Sequence, residues 1–354
     1  MSAPRTPRPP SLDHYLEAQR IAFGPLMFQA ARVARDNGLL QAVEDAGREG
    51  LFPEEAASRA GCSRYAARVL LEACLSMRLV TLEAGRYAID RAGRLILHDK
   101  MTRVNMDFTH DVCFQGSAFL GESLEKGRPE GLRVFGDWNT IYEGLGQLPE
   151  KVRQSWFAFD HYYSDEAFPK LLPVVFGRKP KRVLDVGGNT GKWALACTRH
   201  DPQVEVTILD HPKQLAEAKA NAAAAGVGDR VHGHAMDLLD HTRPFPTGFD
   251  TVWMSQFLDC FPEKDIIQLL RRGREALAPD GRLYVLETYW DKQPNEIARY
   301  CIHATSLYFT CMANGTSRMY HSDDLKRCLM EAGLELEVEQ QSNFHTLFTC
   351  VRKG

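Results

Sequence analysis

Two short stretches of the chain gather residues able to do chemistry. The first, VLDVGGNTG, runs from Val183 to Gly191. An apolar β-type run carrying Asp185 stops at Gly187-Gly188, and a helical pattern starts near Gly191. Glycines at such a turn reach positive φ and let a ligand come close to the backbone. The next β-type run ends at Asp210, 19 residues beyond Gly191, where a carboxylate can accept both hydroxyls of a ribose. A third ends at Met236-Asp237, well placed for an adenine edge. The second stretch, WMSQFLDCFPEKD, spans Trp253 to Asp265. It begins as a buried-strand pattern and passes Ser255-Gln256 to reach Asp259 shortly before Pro262. Asp259 is open to two readings. It is a base or hydroxyl-orienting carboxylate, or it is a structural residue, an N-cap or surface turn residue before a helix over Glu263-Lys264-Asp265, for which Pro262 in the first turn is suitable.

These residues need a scaffold. After Arg178-Lys179-Pro180, the β-rich runs RVLDV, VEVTIL, VHGHAM, DTVWM and RLYVLE are mostly separated by helical ones, namely GKWALACTRH, PKQLAEAKANAAAAG and KDIIQLLRRGREALAPDG. That alternation predicts a parallel sheet with helices on both faces. LELEVEQQ and HTLFTCVRK are separated by SNF alone, which forces an antiparallel hairpin. The expected fold class is therefore α/β: a Rossmann-like, seven-stranded doubly wound sheet with a C-terminal antiparallel hairpin, over residues 179–354. Residues 12–100 read as helices, a Gly turn, a further helix and the short strand Arg86–Ile89, the succession of a winged helix-turn-helix. Residues 101–178 read as helical and rich in aromatics. Residues 1–11 hold Pro and Arg but no apolar h-region, and are read as a disordered leader rather than a signal peptide.

The 354 residues leave room for two domains. A net charge of -3 argues against an obligate nucleic-acid partner. The helix SRYAARVLLEACLSM is clearly polar only at Arg64, Arg68 and Glu72, too few to read bases, and is patterned for burial. No apolar run approaches the roughly 20 residues that span a bilayer. Nine scattered cysteines without a CxxC pair fit a reducing compartment, so a cytoplasmic protein is expected. His232 and His234 share a strand face but no third ligand stands at metal spacing, so no metal is expected.

The glycine loop suits either a dinucleotide or S-adenosylmethionine. Dinucleotide folds usually open near the N-terminus with GxGxxG. Here a DxGGxxG loop follows a large helical region, and Asp185 suits a cationic amino-acid moiety better than a pyrophosphate. These features favour S-adenosylmethionine. With VLDVGGNTG, ILDHP, the Asp237 segment, FLDCFPEKD, LAPDGRLYVLE and ANGTSRMYHSDDLKRCLMEAGL in this order, nearly the whole chain resembles the dimeric class I small-molecule O-methyltransferases similar to plant caffeate O-methyltransferases and their bacterial relatives. SLYFTCMANGTSRMYHSDDL is similar to the bacterial aryl-polyene and pigment-pathway branch.

The resemblance implies that Gly187, Gly188 and Gly191 line the cofactor loop, with Asp185 beneath it. It places Asp210 on the ribose, Met236 and Asp237 beside the adenine, and Ser255 and Gln256 at the cofactor. It implies a homodimer through the N-terminal domain. The family's catalytic His, in a pattern like LHDW, is matched by Asp259 in Leu258-Asp259-Cys260-Phe261, and its glutamate by Glu287. A later RTxxE signature is replaced by Tyr320-His321-Ser322-Asp323-Asp324. A phenol with pKa of about 10 needs help from a base at neutral pH, and a carboxylate of ordinary pKa, about 4, is a weak one unless burial raises it. Transfer to a phenolic hydroxyl of a small aromatic metabolite is thus expected, with ring-carbon methylation or a catalytically weak, cofactor-binding regulatory dimer as alternatives. His303 is a further candidate base, although a lone His is more often structural. His110, Phe114, Phe159, Tyr162, Tyr308, Met312 and Asn314 are candidates for a flat substrate wall, and most such aromatics equally suit a core.

Overall fold

Apolar residues at helical spacing, broken at Gly24-Pro25 and Gly38, fold into the first helices. The computed structural model describes residues 10–164 and 167–354. The leader expected over residues 1–11 lies outside them except for Pro10 and Ser11. The chain divides into two compact units, Met1–His110 and Asp111–Gly354.

In the first unit α1 (Leu12–Ala22), α2 (Gly24–Asp36), α3 (Leu39–Asp45), α4 (Pro53–Ala60) and α5 (Arg64–Ser76) precede the hairpin β1 (Val80–Glu83) and β2 (Arg86–Ile89). Helices α6 (Arg91–His98) and α7 (Lys100–Phe108) follow. Gly38 takes the left-handed conformation that lets α2 and α3 meet at an angle. Leu39, Leu40, Val43, Leu71 and Cys74 make the core. Buried Arg32 is held by Asp36 and Asp107, each at 2.5 Å. One expectation fails locally. Helix α5 buries Ala67, Leu71 and Cys74 but leaves Tyr65 and Val69 exposed, because only one face of a surface helix meets the core.

The second unit opens with α8 (Leu120–Lys126), α9 (Ile141–Gly144), α10 (Glu150–Ser164) and α11 (Phe168–Phe176). Most of residues 101–178 is helical, as expected, with the 3₁₀ stretches Glu130–Val134 and Leu145–Gln147 on either side of α9. Gly116 and Gly131 approach each other's backbone and Met312 too closely for any Cβ. Then come β3 (Arg182–Val186), α12 (Lys192–His200), β4 (Glu205–Asp210), α13 (Pro212–Ala224), β5 (Val231–Ala235), β6 (Phe249–Ser255), α14 (Glu263–Ala276) and β7 (Leu277–Glu287). The unit closes with α15 (Glu296–Tyr308), α16 (Ser322–Glu331), β8 (Leu334–Ser342) and β9 (His345–Arg352). Leu277–Asp280, expected at the end of a helix or in its loop, already belongs to β7, with an irregular register beside Phe249.

The sheet has seven strands in the order β5-β4-β3-β6-β7-β9-β8. Strands β3 to β7 pair in parallel, while β9 runs antiparallel to β7 and to β8. The fold is the expected α/β architecture. Both faces of the sheet are buried, which is why its central strands read as unbroken apolar runs. Leu184, Val252, Met254 and Val285 face one core, and Val183, Trp253, Tyr284 and Leu286 face the other. In the second core Trp253 stacks on Trp193 with centroids 3.9 Å apart and rings 11° from parallel.

Trp253 is fully buried. Replacing it with Ala should cost ~3–5 kcal/mol by loss of buried area and a residual cavity. Urea unfolding followed by circular dichroism would show this as a lower midpoint; an unchanged midpoint would mean that the stacked pair contributes little.

Candidate functional site

Parallel strands end together, so the residues that follow β3, β4, β6 and β7 share one edge of the sheet. At the end of β3, Gly187 has φ +72° and Gly191 has φ +82°. Gly191 is the N-cap of α12 and its N–H donates to the Gly188 carbonyl at 2.9 Å. A Cβ on Gly187 would run into the Phe257 ring, and one on Gly188 would stand 2.5 Å from Asp185 Oδ2. The turn is therefore packed against the residues of the second stretch on one side and against Asp185 on the other.

Asp185 is buried, and its Oδ2 has no hydrogen-bond partner. Burial, and then the nearby Asp210 charge, push its carboxyl up to about 8. Asp210 ends β4, and burial raises its carboxyl too. Its Oδ2 accepts from the Asn189 N–H at 2.9 Å and its Oδ1 from the His211 N–H at 2.7 Å. Each oxygen keeps a further lone pair for a ligand hydroxyl. Met236 is buried in the core and its N–H donates to the Asp210 carbonyl at 3.1 Å. Asp237 is exposed, with Oδ1 accepting from Leu239 N–H. Ser255 and Gln256 are half-buried at the end of β6, and Gln256 takes a positive φ of 46°.

That twist turns the chain into a short 3₁₀ turn, Leu258–Cys260. Pro262 is the N-cap of α14, so Asp259 caps no helix and is instead 8% exposed within the turn. The capping alternative is removed. Glu287, the last residue of β7, lies beside this turn because β6 and β7 are parallel neighbours. Its Oε1 accepts from Phe257 N–H at 3.0 Å and Leu258 N–H at 2.8 Å. Its Oε2 is buried without a partner. Burial and the Asp259 charge raise Glu287 well above the usual carboxylate range, and Oε2 is the oxygen left to carry the proton. Burial, with a further push from Asp160, brings Asp259 up to about 7. Glu287, expected to act in catalysis, touches the backbone of the turn that carries Asp259.

The candidate wall residues divide. Tyr308 is buried and its hydroxyl accepts from Trp156 Nε1 at 2.7 Å. Phe114, Phe159 and Tyr162 are half-buried in the second unit, whereas His110 closes the first. Two others are taken up elsewhere. Met312 is fully buried against Gly116 and Gly131. Asn314 donates from Nδ2 to the Cys260 carbonyl at 2.9 Å and to Ser317 Oγ at 2.7 Å, and its Oδ1 accepts from Thr316 and Ser317 N–H. His303 is exposed on α15 with its ring against Trp290, unlike the enclosed Asp259. Tyr142, whose hydroxyl donates to Cys260 Sγ at 3.1 Å, and Trp156 had no pattern to mark them beyond the aromatic density of their segment. Among the described residues, no group of three or more His, Cys, Asp or Glu side chains could hold a metal ion.

Residues 15–87 match the Dimerisation2-like domain, and residues 174–335 match the O-methyltransferase domain. The chain thus carries an O-methyltransferase domain. It is an S-adenosylmethionine-dependent methyltransferase. Similar relatives agree. The L-tyrosine C(3)-methyltransferase of Streptomyces lavendulae is 26% identical over 328 residues, covering 92% of this chain and 88% of that protein. The 3-amino-4-hydroxybenzoate 4-O-methyltransferase of Streptomyces cremeus is 28% identical over 73% of this chain and 69% of its own. The solved structure of the apo S-adenosylmethionine-dependent methyltransferase SibL is 26% identical, covers 96% of this chain and 99% of its own, and superposes with a TM-score of 0.71. No helix among the described residues of the methyltransferase is long and apolar enough to cross a membrane.

Asp185 offers a direct check of the electrostatics. An acid held protonated by the fold contributes stability that is complete below its unfolded pKa, about 4, and lost as pH rises through its folded value. With that value at about 8, the wild type without cofactor should lose stability progressively between about pH 4 and about pH 8 relative to Asp185→Asn, which cannot ionise, and level off above that. Urea midpoints of both proteins across this range would show the gap; parallel curves would count against a protonated Asp185.

Proposed function

We propose that the methyltransferase moves a methyl group to a phenolic hydroxyl of a small aromatic metabolite, with Asp259 as the base. The observation that carries this is a buried carboxyl in the turn after β6, a turn whose Phe257 packs against Gly187, brought to about 7. The sequence-ordered motifs and the relative acting on 3-amino-4-hydroxybenzoate support the substrate class, and its bacterial relatives point to secondary or pigment metabolism.

The residues fit S-adenosylmethionine. Asp185 is an unpartnered buried acceptor suited to a cationic amino-acid moiety, Asp210 has lone pairs for ribose hydroxyls, and Met236 with Asp237 flanks the adenine position. Gly187, Gly188, Gly191, Ser255 and Gln256 would complete the site. Bound there, the group supplies a methyl already activated by its positive sulfur. The protein then has to orient the acceptor, exclude water and receive one proton. A phenol near pKa 10 and an ordinary carboxylate near 4 differ by about 6 units, or ~8 kcal/mol, whereas a carboxylate near 7 halves that gap. Burial thus gives Asp259 the proton affinity that the family obtains from His. No metal is required by this chemistry.

A second reading is favoured by one observation. The relative named for methylating C(3) of L-tyrosine spans 92% of this chain. A phenol that hands its proton to Asp259 also gains electron density on the ring carbon beside it, so the same base serves ring methylation. The first unit, read as a winged helix, is proposed to pair with a second copy. Helix α1 has no buried residue, and Leu12, Ile21, Phe23 and Leu26 are exposed around it. Arg64 and Arg68 both pair with Glu54, which supports a module that does not bind nucleic acid. Nine free cysteines support a reducing, cytoplasmic setting.

Purified protein with labelled donor and a panel of hydroxyaryl acids and phenolic amino acids tests the proposal, with product mapping to separate oxygen from carbon. Binding of S-adenosylhomocysteine with no transfer to any acceptor would favour a regulatory dimer. Turnover should rise with pH through about 7 as Asp259 loses its proton. Asp259→Asn should lower turnover ~10²-fold or more and flatten that rise, with cofactor affinity kept within a few-fold. Unchanged turnover would remove Asp259 from the role. Asp210→Ala should instead weaken cofactor binding by calorimetry, and retained affinity would mean the ribose lies elsewhere.

A further inference from the structure

The Asp259 turn is clamped on several sides, and one clamp reaches the carboxyl itself. Cys260 Sγ donates to Asp259 Oδ1 at 3.6 Å, within the range of a thiol hydrogen bond. The same sulfur accepts from the Tyr142 hydroxyl on α9 at 3.1 Å. Phenol, thiol and carboxyl therefore form a chain in one direction, each donating to the next. The Cys260 backbone is fixed as well. Asn314 holds its carbonyl at 2.9 Å, and Tyr320 donates to the next carbonyl, that of Phe261, at 2.7 Å. Asn314 is itself locked by three contacts to its own loop, so it has little freedom to follow a ligand.

We propose that Cys260 is a positioning residue for methyl transfer: its S–H orients the Asp259 carboxyl and tunes that group's hold on its proton, with Tyr142 orienting the thiol and Asn314 anchoring it. The inference rests on Asp259 being the base. Burial and the adjacent Asp259 raise the thiol well above the usual range, so it keeps its proton and stays a donor. A donor to the charged form favours that form, so the thiol holds Asp259 lower than burial alone would. The other groups facing Asp259 are Asp160 on α10, Glu287 on β7, Tyr142 on α9, and Tyr289 and Tyr320 on either side of α15. All of them remain when the thiol is removed.

The test is the pH dependence of turnover together with direct titration of Asp259 by carbon NMR of selectively labelled aspartate, assigned with Asp259→Asn. In full-length Cys260→Ala the rise in kcat, and the Asp259 titration, should move up by about 0.5–1 pH unit, with KM within about two-fold. Cys260→Ser, which restores a donor, should return both toward the wild type. Tyr142→Phe, which leaves the thiol in place but frees its orientation, should give a smaller shift in the same direction and serves if Cys260→Ala does not fold. A Cys260→Ala titration superimposable on the wild type, or no return in Cys260→Ser, would overturn the proposal. A titration that moves while the kcat profile does not would keep the thiol's influence on Asp259 but overturn its part in methyl transfer, by removing Asp259 as base.

Discussion

One buried contact organises the reactive edge of this molecule: the Glu287 oxygen that accepts both the Phe257 and the Leu258 N–H. It exists because β6 and β7 are adjacent and parallel, with Ser255 opposite Leu286. The next residues of both chains must then meet. A carboxyl from one satisfies two backbone donors of the other, which would otherwise be stranded away from water. The cost is a second carboxyl, Asp259, in the same dry space. Two like charges at such a place cannot both ionise near neutral pH, so the pair shares its protons. Asp259 itself is raised chiefly by burial in that space, with a further push from Asp160.

The same logic runs along the sheet edge. Asp185 and Asp210 stand at the ends of neighbouring strands, and the fold raises both. A buried acid that stays neutral, as Asp185 does near neutral pH, is far less expensive than a buried carboxylate. The acidic edge is carried by a rigid base of large side chains, with Trp193, Trp253, Tyr284 and Leu286 packed beneath it. Glycine at 187 leaves room for Phe257 to lie against the turn, and glycine at 188 leaves room for Asp185. The glycine turn and the turn that carries Asp259 thus share a wall at Phe257, so a change in one reaches the other.

Much of this was legible before the fold. The alternation of apolar runs with helical ones marks a doubly wound sheet, and the three residues SNF between the last two runs leave only a hairpin. Asp185, Asp210 and Asp259 stood out because each is a carboxylate at the end of an apolar run. Residues 101–178 were less legible. They are helical as their pattern suggests, but the close approach of Gly116, Gly131 and Met312 brings together segments that no local pattern links. Asn314 and Met312 looked like ligand contacts, since polar and soft side chains in a late helical insertion carry no mark of what they will touch.

The sequence by itself determined the order of strands and helices, the glycine turn, and which carboxylates end the strands. These depend on spacing, which is local along the chain. Only the tertiary structure decided what those carboxylates are. Asp259 is an enclosed acid rather than a helix cap because Gln256 turns the chain and Pro262 takes the cap. Its proton affinity comes first from burial and then from Asp160, about a hundred residues upstream, while its own charge raises Glu287, 28 residues away. A pKa is a property of the space around a group, and that space is assembled from segments that no local pattern connects.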